Sequence, residues 1–215
     1  DFAQSVATGT VVKKWNIPVA VATASAVAMV QFTTDLGHLV ALYSGDLMEP
    51  TNYLVVWELA TTPTNMKQVT YPEGEQPYAV VPGTYPASMY AASTSPATVD
   101  GGEASTIAVT DITTESRVHA TLSGKVDRMA FTPDGKSLVV GLEDSGQVTR
   151  WSVGASLVRA ALPLIAGTPG IGATNFDFAV TVDGKYLGVA ADDGANSVKV
   201  LPLAQTESAV KKVTT

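Results

Sequence analysis

The sequence predicts an all-β chain folded as a β-propeller of four-stranded antiparallel blades, four of them complete and preceded by a partial N-terminal blade. Three observations predict it. One segment recurs along the chain at a near-constant period, each copy divides into four short apolar runs bounded by turn residues, and the composition suits sheets. Of 215 residues, 46% are hydrophobic and 15% charged, against about 25% charged in an ordinary domain. That balance excludes a disordered chain and a heavily solvated helical surface.

The period is read by aligning the chain with itself. Met129-Ala-Phe-Thr-Pro-Asp-Gly-Lys-Ser-Leu-Val-Val140 matches Phe178-Ala-Val-Thr-Val-Asp-Gly-Lys-Tyr-Leu-Gly-Val189 at an offset of 49 residues. A third copy aligns Phe32, Asp35 and Leu39 with Phe131, Asp134 and Leu138 at 99 residues, close to twice that offset. A degenerate copy from Tyr78 to Ala92 keeps the strand, turn, strand outline without the Asp-Gly turn. A second marker, a bulky or β-prone residue two positions before an aliphatic one, recurs as Trp15-Asn-Ile17, Trp57-Glu-Leu59, Thr110-Asp-Ile112, Trp151-Ser-Val153 and Leu201-Pro-Leu203. Its spacings of 42, 53, 41 and 50 residues give five units, the longer ones holding insertions such as Ser93 to Ser105.

The elements follow in order. Residues 1–25 supply the last two or three strands of the partial blade, and the complete blades cover 26–73, 74–124, 125–170 and 171–215. In the third blade the strands are Arg128 to Thr132, Ser137 to Leu142, Gln147 to Ser152 and Ser156 to Leu162. Asp134-Gly135 and Asp144-Ser145-Gly146 turn the chain between them, because Gly and Asp tolerate the positive φ of tight hairpins. Propellers hold about 4 to 8 blades, so the chain forms a five-bladed ring or part of a larger one of seven blades. A half-blade leaves an unpaired edge that native proteins cover, which favours the larger ring, completed by a partner or by the remaining blades.

Here the residues resemble known families. Ser105-Thr-Ile-Ala-Val-Thr-Asp-Ile-Thr-Thr-Glu-Ser-Arg-Val-His-Ala-Thr-Leu-Ser-Gly124, with Phe131-Thr-Pro-Asp-Gly-Lys136 after it, resembles the repeat of YVTN-type propellers, known in surface-layer and lactonase-like proteins. The Trp-Asn, Trp-Glu and Trp-Ser pairs resemble WD40 repeats. No Gly-His pair stands at its usual WD40 place and no Tyr-Val-Thr-Asn string is intact. The resemblance spans nearly the whole chain and implies a fold, not an activity.

Several function classes are excluded outright. Without cysteine there are no disulfides, thiolate zinc sites, iron–sulfur clusters or Cys nucleophiles. A net charge of -7 opposes nucleic-acid binding, which needs clustered Lys and Arg. The apolar run Ile17 to Val30 is interrupted by Pro18, Thr23 and Ser25 and reads as two strands and a turn, so no membrane span is expected. The chain begins at Asp1, as a processed form, a fragment or the ordered part of something longer would, and this with the low charge leans towards an extracytoplasmic or cell-surface setting. His38 and His119 fall on a turn and an outer strand of different blades, so neither a His-based metal site nor a Ser-His-Asp triad is expected.

Two groups of candidate site residues remain. The hairpins joining second and third strands carry Asp46, Glu49, Asp100, Glu103, Glu143, Asp144, Asp192 and Asp193. These make either an acidic rim for a basic partner or a divalent cation, calcium being the one oxygen ligands suit, or simply good turns. No Asp-x-Asp-x-Asp-Gly loop is present, and no cofactor or bound metal is expected. Asp127, Arg128, Asn175 and Asp177 stand at the starts of innermost strands, where they would line a central channel. Two functions follow. The first is a non-catalytic scaffold or interaction module that binds a protein through the rim or an open blade edge. The second is a propeller enzyme or enzyme subunit with its site in the channel, lactonase-like or quinoprotein-dehydrogenase-like. The scarcity of catalytic groups leans the reading away from an enzyme.

Overall fold

A computed structural model describes residues 26–33, 37–44, 51–59, 64–80, 89–143, 145–161, 163–165, 176–191, 197–204 and 211–213. The described residues form strands, turns and bridges, with no helix among them. The partial blade and Trp15 lie outside them.

Four antiparallel sheets follow one another, each a simple meander. The first is β1 (Ala26–Phe32), β2 (His38–Ser44), β3 (Tyr53–Glu58) and β4 (Thr64–Thr70); the second is β5 (Gln76–Val80), β6 (Tyr90–Val99), β7 (Gly102–Asp111) and β8 (Arg117–Ser123). The third is β9 (Val126–Phe131), β10 (Ser137–Leu142), β11 (Val148–Val153) and β12 (Leu157–Arg159); the fourth is β13 (Phe176–Val180), β14 (Tyr186–Ala191), β15 (Ser197–Pro202) and β16 (Lys211–Val213). Strand β5 lies beside β9, and β9 beside β13, so the first strand of each of these blades is its inner strand.

The sequence period is written into the register. Phe32, Phe131 and Val180 end their first strands opposite Leu39, Leu138 and Leu187, which pair on their other side with Trp57, Trp151 and Leu201. The fourth marker, Thr110, pairs with Ala91 in the same place. Trp57, Thr110, Trp151 and Leu201 are all buried. One core joins Ala79, Ala92, Ile107 and Val109 of the second sheet to Met129, Phe131, Leu138 and Trp151 of the third. Another joins Val40, Leu54 and Val56 to Val80, Met89 and Ile112 across the first and second sheets. A third joins Val139, Val148 and Leu164 to Leu187, Val189 and Leu201.

The insertion from Ser93 to Ser105 takes the form of a central hairpin in the second sheet longer than its counterparts, pairing Ser95↔Thr106 through Val99↔Gly102. Asp100 (φ 50°) and Gly101 (φ 78°) close it as the two-residue turn whose twist matches the strands. The fourth strand of the third sheet ends at Arg159 and does not reach Leu162. Pro163 has no N–H to extend a ladder, and beyond it Ile165 bridges back to Val148.

Candidate functional site

The inner strands bring together residues far apart in sequence. The register skips one residue in three of the four first strands, at Ala28 in β1, Tyr78 in β5 and Asp127 in β9. A bulge of this kind re-aims a side chain out of the pleat's alternation. Two of the bulge residues, Tyr78 and Asp127, sit on neighbouring inner strands. Burial pushes the Tyr78 phenol up, and the Asp127 carboxylate pushes it further. Burial likewise raises the Asp127 carboxyl, with Arg128 opposing and Glu143 and Asp177 adding to the rise.

Of the channel candidates, Arg128 and Asp177 meet across β9 and β13, with the Arg128 Nε 3.6 Å from the Asp177 Oδ1. Both side chains are half or more exposed, so the pair contributes about 0–1 kcal/mol. Asp127 stands beside them, and Asn175 lies outside the described residues.

Of the rim candidates, Asp100 is at the tip of the β6–β7 hairpin and Glu103 is exposed just inside it. Glu143 follows β10, where its Oε2 lies 2.6 Å from the Lys125 Nζ and its N–H donates to the Lys125 carbonyl at 2.9 Å. That double contact clips the third blade's rim to the start of its inner strand. Asp46, Glu49, Asp144, Asp192 and Asp193 lie outside the described residues. Among the described residues no group of three or more His, Asp or Glu is placed to hold a metal ion. His119 is exposed on β8 and His38 is half-buried at the start of β2.

Rim and inner strands share a cleft of about 510 Å³ under the long hairpin of the second blade, walled by Tyr78, Pro96, Thr98, Glu103, Ser105 and Lys125. Ser105 fixes its floor, donating to the Gly124 carbonyl at 3.0 Å and accepting the Val126 N–H at 3.1 Å. Residue type alone does not mark Tyr78 or Lys125 as site residues, because a bulge and a hairpin overhang are features of register. The one available signal was the unusual length of the segment between Tyr90 and Asp111.

No protein-family model matches the chain, and no curated protein matches it. Solved structures do. A functionally unknown protein from Desulfotomaculum acetoxidans DSM 771 is similar over 93% of this chain and 58% of its own, at 16% identity and a TM-score of 0.60. The β-propeller domain of the Trilobed protease from Pyrococcus furiosus, described as having an open velcro topology, is similar over 92% of this chain and 59% of its own, at 12% identity and a TM-score of 0.54. A periplasmic gluconolactonase from Pseudomonas aeruginosa stands further off, at 10% identity and a TM-score of 0.46 over 86% of this chain and 71% of its own. Such identities carry the fold alone. The chain is therefore a β-propeller in architecture, and it spans about three fifths of the length of the first two structures.

Proposed function

We propose that the chain is a non-catalytic interaction module whose rim at the second blade binds an extended, basic segment of a protein partner. The observation that carries this reading is the cleft under the β6–β7 hairpin. Its walls are mostly small or weakly polar, from Thr94 to Thr98 and from Gly101 to Ser105, which suits recognition by shape and backbone. Glu103 lines it and Asp100 adjoins it at the hairpin tip, and complementary charge there would select a basic partner and speed its approach. The cations nearest the inner strands face carboxylates already, Lys125 with Glu143 and Arg128 with Asp177.

The test is fluorescence anisotropy with an extended peptide rich in Lys and Arg and with its Glu-substituted counterpart. The basic peptide is expected to bind, to weaken with salt, and to lose affinity on the Asp100→Lys, Glu103→Lys double substitution. Equal binding of both peptides, or no effect of the substitutions, overturns the reading.

One observation favours a channel enzyme, lactonase-like in chemistry: the raised Asp127 carboxyl next to Tyr78 is the environment that suits a general acid. Turnover of a lactone panel that Asp127→Asn abolishes would establish it. A panel left unhydrolysed by the native chain removes it.

A further inference from the structure

Three of the chain's four Asp-Gly pairs lie among the described residues, Asp100-Gly101, Asp134-Gly135 and Asp183-Gly184; Asp193-Gly194 lies outside them. In such a pair the glycine nitrogen can attack the aspartate side chain, because no side chain on the glycine shields it or restricts its backbone. Two conditions govern the attack. The carboxyl must be free, and the peptide between the two residues must be able to rotate until the nitrogen faces the carboxyl carbon.

The turns of the third and fourth blades fail both conditions. The Asp134 Oδ1 accepts the Thr132 hydroxyl at 2.6 Å and the Lys136 N–H at 3.0 Å, while Gly135 is buried and donates its N–H to the Thr132 carbonyl at 2.9 Å. The Asp183 Oδ1 accepts the Thr181 hydroxyl at 2.6 Å and the Lys185 N–H at 3.1 Å, and the Gly184 N–H donates to the Thr181 carbonyl at 2.8 Å. The same donors hold both carboxyls below the usual range, and so in the ionised form, which is the poorer electrophile.

Asp100-Gly101 meets both. The pair is the turn of the β6–β7 hairpin, and both residues are exposed. Among the described residues no group bonds the Asp100 carboxylate or the Gly101 N–H. A methyl group added at Gly101 would meet nothing within 4 Å, so the space around the turn is open. Asp100 is held at φ 50°, where its Cβ crowds the following carbonyl, and rotation out of that conformation relieves the crowding.

We infer that Asp100 is a site of spontaneous isoaspartate formation in the folded chain, and that Asp134 and Asp183 are protected from it. The Gly101 nitrogen attacks the Asp100 Cγ, its proton leaves with the carboxyl hydroxyl as water, and a succinimide ring closes. Water then adds to either ring carbonyl. Opening at Cγ restores aspartate, whereas opening at the main-chain carbonyl leaves Gly101 joined through the Asp100 side chain. The product keeps its mass and charge but carries one more backbone atom, which loosens the Val99↔Gly102 pair that the two-residue turn closes. This chemistry proceeds whether or not the cleft binds a partner.

Incubation at body temperature and mildly acidic pH, followed by isoaspartyl methyltransferase labelling and fragmentation of the proteolytic peptides, tests it. In the native fold isoaspartate is expected to accumulate at Asp100 several-fold faster than at Asp134 or Asp183. In guanidinium the three rates are expected to converge, since only the fold distinguishes the pairs. Thr132→Val frees the Asp134 carboxyl and is expected to raise the rate there in the folded chain while leaving Asp100 unchanged. Asp100→Glu, whose ring would be one atom larger, is expected to abolish the modification at that position. A rate at Asp100 that is undetectable, or no higher than at Asp134 and Asp183, overturns the inference, as do Asp134 and Asp183 rates that are the same folded and unfolded.

Discussion

Arg117, at the start of the second blade's outer strand, shares the buried carboxylate of Glu75 with the Ser93 hydroxyl. The same guanidinium lies 5.6 Å from the centre of the Tyr71 ring, and the Asn52 side-chain amide donates to the Glu75 carbonyl at 2.6 Å. This network joins the first blade to the second through polar groups, beside the apolar core that the two blades share.

Breaking the pair from the arginine side leaves a carboxylate stranded in a buried site. Removing one partner of a fully buried pair costs about 3–5 kcal/mol, and Arg117 is partly exposed, so Arg117→Ala is expected to lose about 2–3 kcal/mol. In a chain of this size that is a fall in Tm of roughly 5–10 °C. The Glu75→Leu, Arg117→Leu double substitution is expected to recover most of it. Thermal and urea unfolding measure both, and an unchanged midpoint in Arg117→Ala shows that the pair contributes nothing.

The Asp-Gly turns carry a hydrogen-bond device that repeats with the blades. Thr132 donates its hydroxyl to the Asp134 Oδ1 at 2.6 Å and accepts the Ser137 N–H at 3.0 Å. Thr181 does the same with Asp183 at 2.6 Å and with the Tyr186 N–H at 3.1 Å, and Thr33 accepts the His38 N–H at 3.0 Å. The threonine hydroxyls hold the Asp134 and Asp183 carboxyls below the usual range. A depressed carboxyl stabilises fully above its unfolded pKa of about 3.9 and loses that contribution as pH falls through the folded value. Thr132→Val is therefore expected to lose about 1 kcal/mol near neutrality. The gap to the native chain should narrow as the pH drops below about 4; urea midpoints across that range check it.

Much of this was legible from residue types alone. Phe32 with Leu39, and Phe131 with Leu138, recur because each pair closes the same corner of a blade, and selection for that corner leaves the period in the sequence. Arg128 and Asp177 occupy matching inner positions, so the period also located the pair the fold brings to 3.6 Å. Tyr78 escaped because a bulge breaks the alternation from which facing is inferred. Glu75 escaped for a different reason: a lone Glu after Gly74 reads as a solvated turn residue, and only the approach of Arg117 from 42 positions onward explains its burial.

Alkaline behaviour follows from three tyrosines. Burial raises the phenols of Tyr43, Tyr71 and Tyr78, Tyr71 most strongly. A raised phenol contributes stability that is complete below the unfolded pKa of about 10 and is lost as pH rises through the folded value. Phenolate absorbance should therefore lag behind that of free tyrosine and then appear together with unfolding. Tyr71 also buries its hydroxyl without a hydrogen-bond partner. Tyr71→Phe keeps the ring under Arg117 and is expected to be neutral or stabilising by about 1 kcal/mol at neutral pH, with a shallower alkaline decline.

Pro96 guards the long hairpin. In a two-residue hairpin closed at Val99↔Gly102, odd-numbered residues of β6 bond to β7 and even-numbered ones face the other edge. Strand β5 pairs with β6 only as far as Gln76↔Thr94, so the amide position of Pro96 faces an unpaired edge where proline withholds a donor. Pro96→Val is expected to leave the fold intact and to increase aggregation, followed by light scattering at constant temperature. A variant no more prone to associate than the native chain shows that the edge is protected by something other than the proline.

Asp127 separates the two functional readings. Its raised carboxyl means that the folded state favours the proton, so its contribution to stability is complete below the unfolded pKa and declines as pH rises through the folded one. At neutral pH the ionised group opposes folding, and Asp127→Asn is expected to stabilise the chain, with the gain disappearing below about pH 4. A stabilised variant that still binds the basic peptide leaves the rim as the working surface. A stabilised variant that has lost a lactone hydrolysis measurable in the native chain assigns Asp127 to the channel chemistry. If the variant is instead destabilised, Arg128 needs the carboxylate, and the cluster of Tyr78, Asp127, Arg128 and Asp177 is a strut between blades.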